Sequence, residues 1–274
     1  MEALECMERG IVLRQHFFGS DSDEVWNACK TVGELCNMLA MTYLQQGEFR
    51  MAEQLLNKAA VLHQNDDSGL AVTYNNLACF YRRKGKLRTA LKFLNKTLRI
   101  EAKLPNADNP GDTHLNMCAV LSQLGRHEQA LEHAQSALIL LQEELFSPGK
   151  SEEDKVQKDR LAVLAIAYHN IGVEQEYLKQ TLESVRSYQK GVEIATSHLG
   201  SDHGIAIALR NSLVAAQATA EKKKKSKSTI GSTLPPISNS RSKRRGAKSK
   251  KKKNTKSPKW QTRTNRFGEE EHTI

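Results

Sequence analysis

A small residue, a tyrosine or leucine three positions on, a glycine four beyond that and a second small residue five further recur at fixed offsets along the chain. Ala40, Tyr43, Gly47 and Ala52 form the first copy, with Ala59 following; Ala78, Tyr81, Gly85 and Ala90 form the second. Cys118, Leu121, Gly125 and Ala130, then Ala137, make the third, and Gly172, Gln175, Lys179, Ser184, then Gly191, a degenerate fourth. Two antiparallel helices packed through small side chains around a tight turn need this pattern. A period near 40 residues therefore predicts an all-α solenoid of stacked helical hairpins. Such a chain is a binding scaffold before it is anything else.

The apolar spacing places the individual helices. The first covers 1–18, with Leu4, Met7, Ile11, Val12 and Phe18 toward one face and Gly10 interrupting it. Residues 19–23 turn, and Asp21, Ser22 or Asp23 caps the next helix, 24–46. The return helix spans 49–62, and 63–68 break the chain. The second hairpin is read at 70–83 and 87–104, the third at 112–124 and 127–145, the fourth at 155–178 and 182–199. Pro105 and Pro110 bracket turn formers and mark 105–111 as loop. The small-residue marks at 40, 78 and 118 are 38 and 40 residues apart, but the next lies 54 on, at 172. An insertion therefore falls near 146–160, as a loop or as longer flanking helices. A last helix, 205 to about 223, caps the stack. The domain reading is 1–32 for N-terminal helices packing on the first repeat, 33–220 for the solenoid and 221–274 for a tail.

Charge separates the tail from the body. Residues 221–274 carry 18 Lys and Arg against 4 acidic residues, whereas 1–220 carry 23 against 27. With few large apolar residues and repeated Lys, Ser, Pro and Gly, the tail cannot offset the entropy of ordering and is expected to be disordered. Cys6, Cys29, Cys36, Cys79 and Cys118 are odd in number and form no CxxC pair. Cys36, Cys79 and Cys118 fall at packing positions, which favours small apolar core residues over disulfides or zinc ligands. The N-terminus lacks the basic and apolar regions of a secretory signal, and no run is apolar enough to cross a bilayer. A soluble, intracellular protein with no membrane insertion is expected.

Tyr74-Asn75-Asn76-Leu77-Ala78-Cys79-Phe80-Tyr81 and His198-Leu199-Gly200-Ser201-Asp202-His203 resemble the tetratricopeptide repeat family, and the period of about 40 resembles its kinesin-light-chain type. That family writes these stretches L-N-N-L-A-x-L-Y and x-L-G-x-D-H-P; Gly204 stands where proline is usual. The resemblance covers about 33–217 and implies a right-handed superhelix with the first helix of each pair lining a concave groove. Two or three positions before each small residue, asparagine recurs: Asn37, Asn75 with Asn76, Asn116, Asn170 and Asn211. Such a ladder offers donors and acceptors to the main chain of an extended peptide. Kinesin light chains hold cargo peptides with asparagines of this kind, so the resemblance implies that role; bridging between neighbouring helices is the alternative. Arg82 and Arg83 end a first helix and suit an acidic peptide. The carboxylate clamp of chaperone-binding repeats is absent, because Asn37 and Met41 stand where its lysine and asparagine belong.

No catalytic or cofactor signal emerges. Gly149-Lys150-Ser151 imitates the end of a phosphate-binding loop, but Glu144 occupies the required earlier glycine. His114, His127, His133, His169 and His203 form neither HExxH nor a ligand quartet. A non-enzymatic adaptor with a protein or peptide partner and no cofactor is expected. In the tail, Lys222, Lys223, Lys224 and Lys225, then Lys243, Arg244 and Arg245, then Lys250, Lys251, Lys252 and Lys253 suit a polyanion: tubulin tails, an importin or nucleic acid. By resemblance the setting is cytoplasmic, with the cytoskeleton or cilium favoured. A nuclear protein binding nucleic acid through the tail is the alternative. True light chains carry coiled-coil heptads that this chain lacks.

Overall fold

A computed structural model of the chain describes residues 2–105, 109–146 and 154–231. Most of the basic tail, from 232, and the Gly149-Lys150-Ser151 stretch lie outside the described residues. Among those described there are ten helices and no strand: α1 (Glu2–Phe18), α2 (Asp23–Gln46), α3 (Phe49–Leu62), α4 (Asp67–Arg83), α5 (Leu87–Glu101), α6 (Pro110–Gln123), α7 (His127–Phe146), α8 (Asp154–Tyr177), α9 (Thr181–His198) and α10 (Gly204–Gly231). Met1–Gly231 forms one compact unit.

The turns explain the glycine spacing. Gly47, Gly85 and Gly125 each take a left-handed conformation, with φ of 84°, 73° and 72°. The Gly47 N–H bonds the carbonyl of Leu44, and the following Glu48 N–H bonds that of Tyr43, which satisfies the last carbonyls of α2. In the degenerate fourth copy Lys179 adopts φ 62° at the same place. Its N–H bonds the Glu176 carbonyl, and Gln180 bonds that of Gln175. The hairpin geometry thus survives without the glycine, at a modest conformational cost.

The small residues are the helix-crossing points. Ala40, Ala52, Ala59, Ala90, Ala130 and Ala137 are all 0% exposed, and Cys118 is 1%. The side chain four residues after each second small residue adjusts the volume across the hairpin. It is Leu56 against Ala40, Leu94 against Ala78, Ala134 against Cys118 and Tyr188 against Gly172. A Cβ on Gly172 would lie 2.5 Å from the Tyr188 ring, so the largest partner faces the smallest residue and packing density is kept.

Each first helix contacts the next first helix (α2 with α4, α4 with α6, α6 with α8, α8 with α10), while no second helix contacts another. First helices are crowded together and second helices fan apart, so the stack curves with α2, α4, α6, α8 and α10 on its inner face.

Three expectations change, and one open alternative is decided. Pro110 starts α6 instead of closing a loop: it sits in the first turn, where its missing N–H has no intrahelical partner to lose, behind Asn109 at φ 52°. Of the two alternatives for the insertion between the third and fourth copies, its described residues take the longer flanking helices, since α7 has 20 residues and α8 24 where α5 and α6 have 15 and 14. In α1 only Leu4 and Ile11 are buried, whereas Val12 and Phe18 are 63% and 58% exposed, and Gly10 does not break the helix. Finally, α10 continues to Gly231, so 221–231, including the first lysine cluster, are helical and not disordered. Glu and Lys are good helix formers, and no glycine or proline interrupts the run before Gly231.

Candidate peptide-binding inner face

Taking Ala40, Ala78, Cys118, Gly172 and Leu213 as equivalent aligns the first helices. Two positions earlier stand Met38, Asn76, Asn116, Asn170 and Asn211. Six positions earlier are Glu34, Val72, Asp112, Ile166 and Ile207; one position later are Met41, Cys79, Ala119, Val173 and Val214. Steps of three and four residues place these three rows on one side of each helix. That side is open to solvent: Met38, Val72, Ile166, Ile207 and Val214 are 61%, 41%, 37%, 43% and 65% exposed. The face is a row of side-chain amides between two mainly apolar rows.

The asparagines divide into two classes. Asn76 and Asn211 have no side-chain hydrogen bond to another described residue and are half-buried and exposed. Asn170 is half-buried and bonds its neighbour His169. Asn116 Nδ2 donates to Asn75 Oδ1 at 3.1 Å, which leaves the Asn116 carbonyl for another donor. Asn37 and Asn75 stand one position further back, toward the neighbouring first helix. Asn37 is 5% exposed and donates from Nδ2 to Thr73 Oγ1 at 2.9 Å. It is buried against α4 and offers nothing to a ligand. Asn75 accepts from the next repeat. The alternative of bridging neighbouring helices thus holds for these two, and the reason is the 100° that one residue turns along a helix.

Such links bridge every pair of neighbouring first helices. Asn37 to Thr73 joins α2 to α4, and Asn116 to Asn75 joins α6 to α4. Arg160 bonds both oxygens of Asp112 at 3.0 and 3.1 Å, joining α8 to α6. His169 Nε2 lies 3.2 Å from Ser212 Oγ and joins α8 to α10. His169 stands three positions before Gly172, the register of Asn37 and Asn75, whereas Arg160 lies outside these rows and had no signal in the repeat pattern.

The arginines differ as well. Arg83 is exposed and donates to the Gln45 carbonyl at 3.4 Å, across α4 and α2. Arg82 is half-buried, and its Nε is buried without a hydrogen-bond partner among the described residues. Of the histidines, His133 Nδ1 lies 3.1 Å from His114 Nδ1, and His127 Nδ1 lies 2.8 Å from the carboxylate of Glu174, which is 2% exposed. Neither pair includes a nucleophile. Cys36 and Cys118 are buried and Cys79 is half-buried. Burial, with the Glu174 charge adding to it, pushes the Cys118 thiol up to about 12; such a thiol is a packing group and a poor nucleophile. Among the described residues no group of three or more His, Cys, Asp or Glu is placed to hold a metal ion, and no helix is long and apolar enough to cross a membrane.

The tetratricopeptide repeat family pattern matches residues 33–103, the first two hairpins and their glycine turns. Residues 33–103 carry tetratricopeptide repeats. The chain's repeat fold is similar to the crystal structure of BtubC (BKLC) from P. vanneervenii, with a TM-score of 0.56 at 21% identity over 87% of this chain and 95% of that one. It is also similar to a Podospora anserina putative kinesin light chain with nearly identical TPR-like repeats, at TM-score 0.51 and 19% identity over 72% of this chain and 91% of that one. A Pyrococcus horikoshii signal-transduction ATPase with a tetratricopeptide repeat sensor matches at TM-score 0.55 and 16% identity, over 84% of this chain and 36% of that one. No curated protein sequence matches significantly. These likenesses establish the repeat fold, which supports a protein–protein interaction adaptor in general.

Proposed function

We propose that this repeat protein is a non-enzymatic adaptor that holds an extended peptide along its inner face. The row formed by Asn76, Asn116, Asn170 and Asn211 carries the reading. These amides recur once per hairpin at a single register, and each has hydrogen-bonding capacity that the fold does not consume. They address the peptide main chain, while the rows of Val72, Ile166, Ile207, Val173 and Val214 take its apolar side chains. Arg83, at the α4 end of the groove, favours an acidic residue on the ligand. Asn37 and Asn75 serve the scaffold.

The test is affinity capture from cells with quantitative mass spectrometry, comparing wild type with Asn76→Ala/Asn116→Ala/Asn170→Ala/Asn211→Ala. Loss of a defined set of partners with unchanged helical content supports the groove. An unchanged partner list refutes it.

The charge asymmetry favours a second function for the C-terminal segment. Eighteen basic residues within 221–274 suit a polyanionic surface, and likeness to a putative kinesin light chain inclines this reading toward tubulin tails over an importin or nucleic acid. Imaging a tagged chain with and without 221–274 checks it. Filament or axoneme localisation that depends on the segment supports the cytoskeletal or ciliary setting; nuclear accumulation that depends on it favours the nucleic-acid alternative.

A further inference from the structure

The helix α1 is placed unlike any other in the stack. The second helices α3, α5, α7 and α9 each lie between two first helices, their own and the next. α1 occupies an equivalent position but packs along α2 alone, with Glu8 paired to Lys58 of α3. Its core-facing line is Leu4 and Ile11, 2% and 7% exposed. A second line runs through Ala3, Cys6, Gly10, Leu13 and Phe17 at alternating steps of three and four residues. At 100° per residue this line is a stripe about 80° wide, centred about 130° from the buried one. Leu13 is 58% exposed and Phe17 74%, with Val12 and Phe18 beside them. A helix face left open to water is ordinarily polar. This one presents an exposed seam of small and large apolar residues.

We propose that the seam docks against the same seam of a second copy of this chain, the two α1 helices packing antiparallel about a two-fold axis at Gly10. The partner's α1 then takes the side that a first helix takes on every other second helix, so the contact continues the interface already used between hairpins.

The sequence of the seam is self-complementary only in this orientation. Its first half is small (Ala3, Cys6) and its second half large (Leu13, Phe17). Antiparallel packing sets residues equidistant from Gly10 against one another. Phe17 covers the partner's Ala3, Leu13 sits between the partner's Cys6 and Met7, and the two glycines let the backbones approach at the axis once the Arg14 guanidinium, which donates to the Gly10 carbonyl at 3.2 Å, turns aside. Parallel packing would oppose Phe17 to Phe17 and leave a gap between alanines. The charges agree: Glu2 and Glu5 stand in the first turn and His16 in the last, so each acidic end meets the partner's basic end, and the helix dipoles oppose. The contact is isologous and closes at two copies.

Analytical ultracentrifugation of the full chain, over a concentration series reaching tens of micromolar, tests the proposal. Wild type sediments as a dimer and Leu13→Glu/Phe17→Glu as a monomer with an unchanged far-ultraviolet circular dichroism spectrum, because both side chains are solvent-exposed in the single chain. Orientation is read by cross-linking in a Cys6→Ser background. Gly10→Cys yields a disulfide-linked dimer on mild oxidation, and Phe17→Cys alone does not. A monomeric wild type overturns the proposal and leaves the seam to a helix of a different protein. A dimer that survives Leu13→Glu/Phe17→Glu overturns the seam, and linkage through Phe17→Cys alone overturns the antiparallel geometry.

Discussion

Thr73 has one hydroxyl and three neighbours that bond it. It donates to the Gly69 carbonyl at 2.8 Å, accepts from Asn37 Nδ2 at 2.9 Å and lies 3.0 Å from His63 Nδ1. His63 Nε2 in turn lies 3.3 Å from the Lys30 carbonyl, so a neutral ring donates either to Thr73 or to Lys30. His63 is 0% exposed and fits only because Gly33 and Gly69 flank it. A Cβ on either would come within 2.3 or 2.8 Å of the ring. This cluster joins three helices in the first two hairpins, and replacing the hydroxyl isolates its effect. Thr73→Val keeps the shape and strips the buried Asn37 amide of its acceptor and His63 Nδ1 of its partner, a loss of about 2–4 kcal/mol in unfolding free energy. Thr97 is the control. It is equally buried, but its hydroxyl only donates to the Phe93 carbonyl of its own helix, so Thr97→Val should cost less than about 1 kcal/mol. Urea denaturation of both variants decides: equal losses would mean that the Thr73 cluster is not a unit.

Helix order, hairpin pairing and core positions were legible at the element scale because each is repeated. One copy's ambiguity was resolved by the other three, and even the turn at Lys179 followed the glycine pattern. Boundaries without a repeat were not legible. The extra residues between the third and fourth copies, the start of α6 at Pro110 and the end of α10 depend on local chemistry that occurs once. The groove was half legible for a related reason. A spacing of two or three residues spans two helix faces, and only packing separates Asn76 from Asn75. Arg160 shows what a unique junction requires. It is 12% exposed by side chain and bonds Glu144 of α7 at 2.8 and 2.6 Å as well as Asp112 of α6, clamping the lengthened α8 onto the third hairpin. Arg160→Met leaves two acidic groups facing each other without their cation. The partners are partly exposed, so water takes up some of the loss, and a destabilisation of about 1–3 kcal/mol is expected. Hydrogen exchange should show it concentrated in α6, α7 and α8. Loss spread evenly over all helices would contradict a local clamp.

The molecule inherits a dependence on pH from half-buried histidines of its third and fourth hairpins. Burial holds His114, His133 and His169 below the ordinary histidine value of 6.5, with each of the first pair facing the other. Two Nδ1 atoms 3.1 Å apart require one ring to donate and the other to accept, which two imidazolium rings cannot do. His169 meanwhile reaches Ser212 of α10. Above the unfolded value both folded and unfolded chains carry these groups neutral, so their contribution is fully present. As the pH falls below about 6.5, the unfolded chain takes up protons that the folded chain refuses, and stability declines until the depressed folded values are reached. In a solenoid, stability is summed over neighbouring repeats, so the third hairpin and the α8–α10 junction should weaken first while the Thr73 cluster persists. Denaturation curves of wild type and His114→Gln at neutral and mildly acidic pH isolate the pair, because groups common to both chains cancel in the difference. The wild type should lose more stability on acidification than the variant. A difference that does not change with pH would show that the histidine pair does not couple protonation to folding.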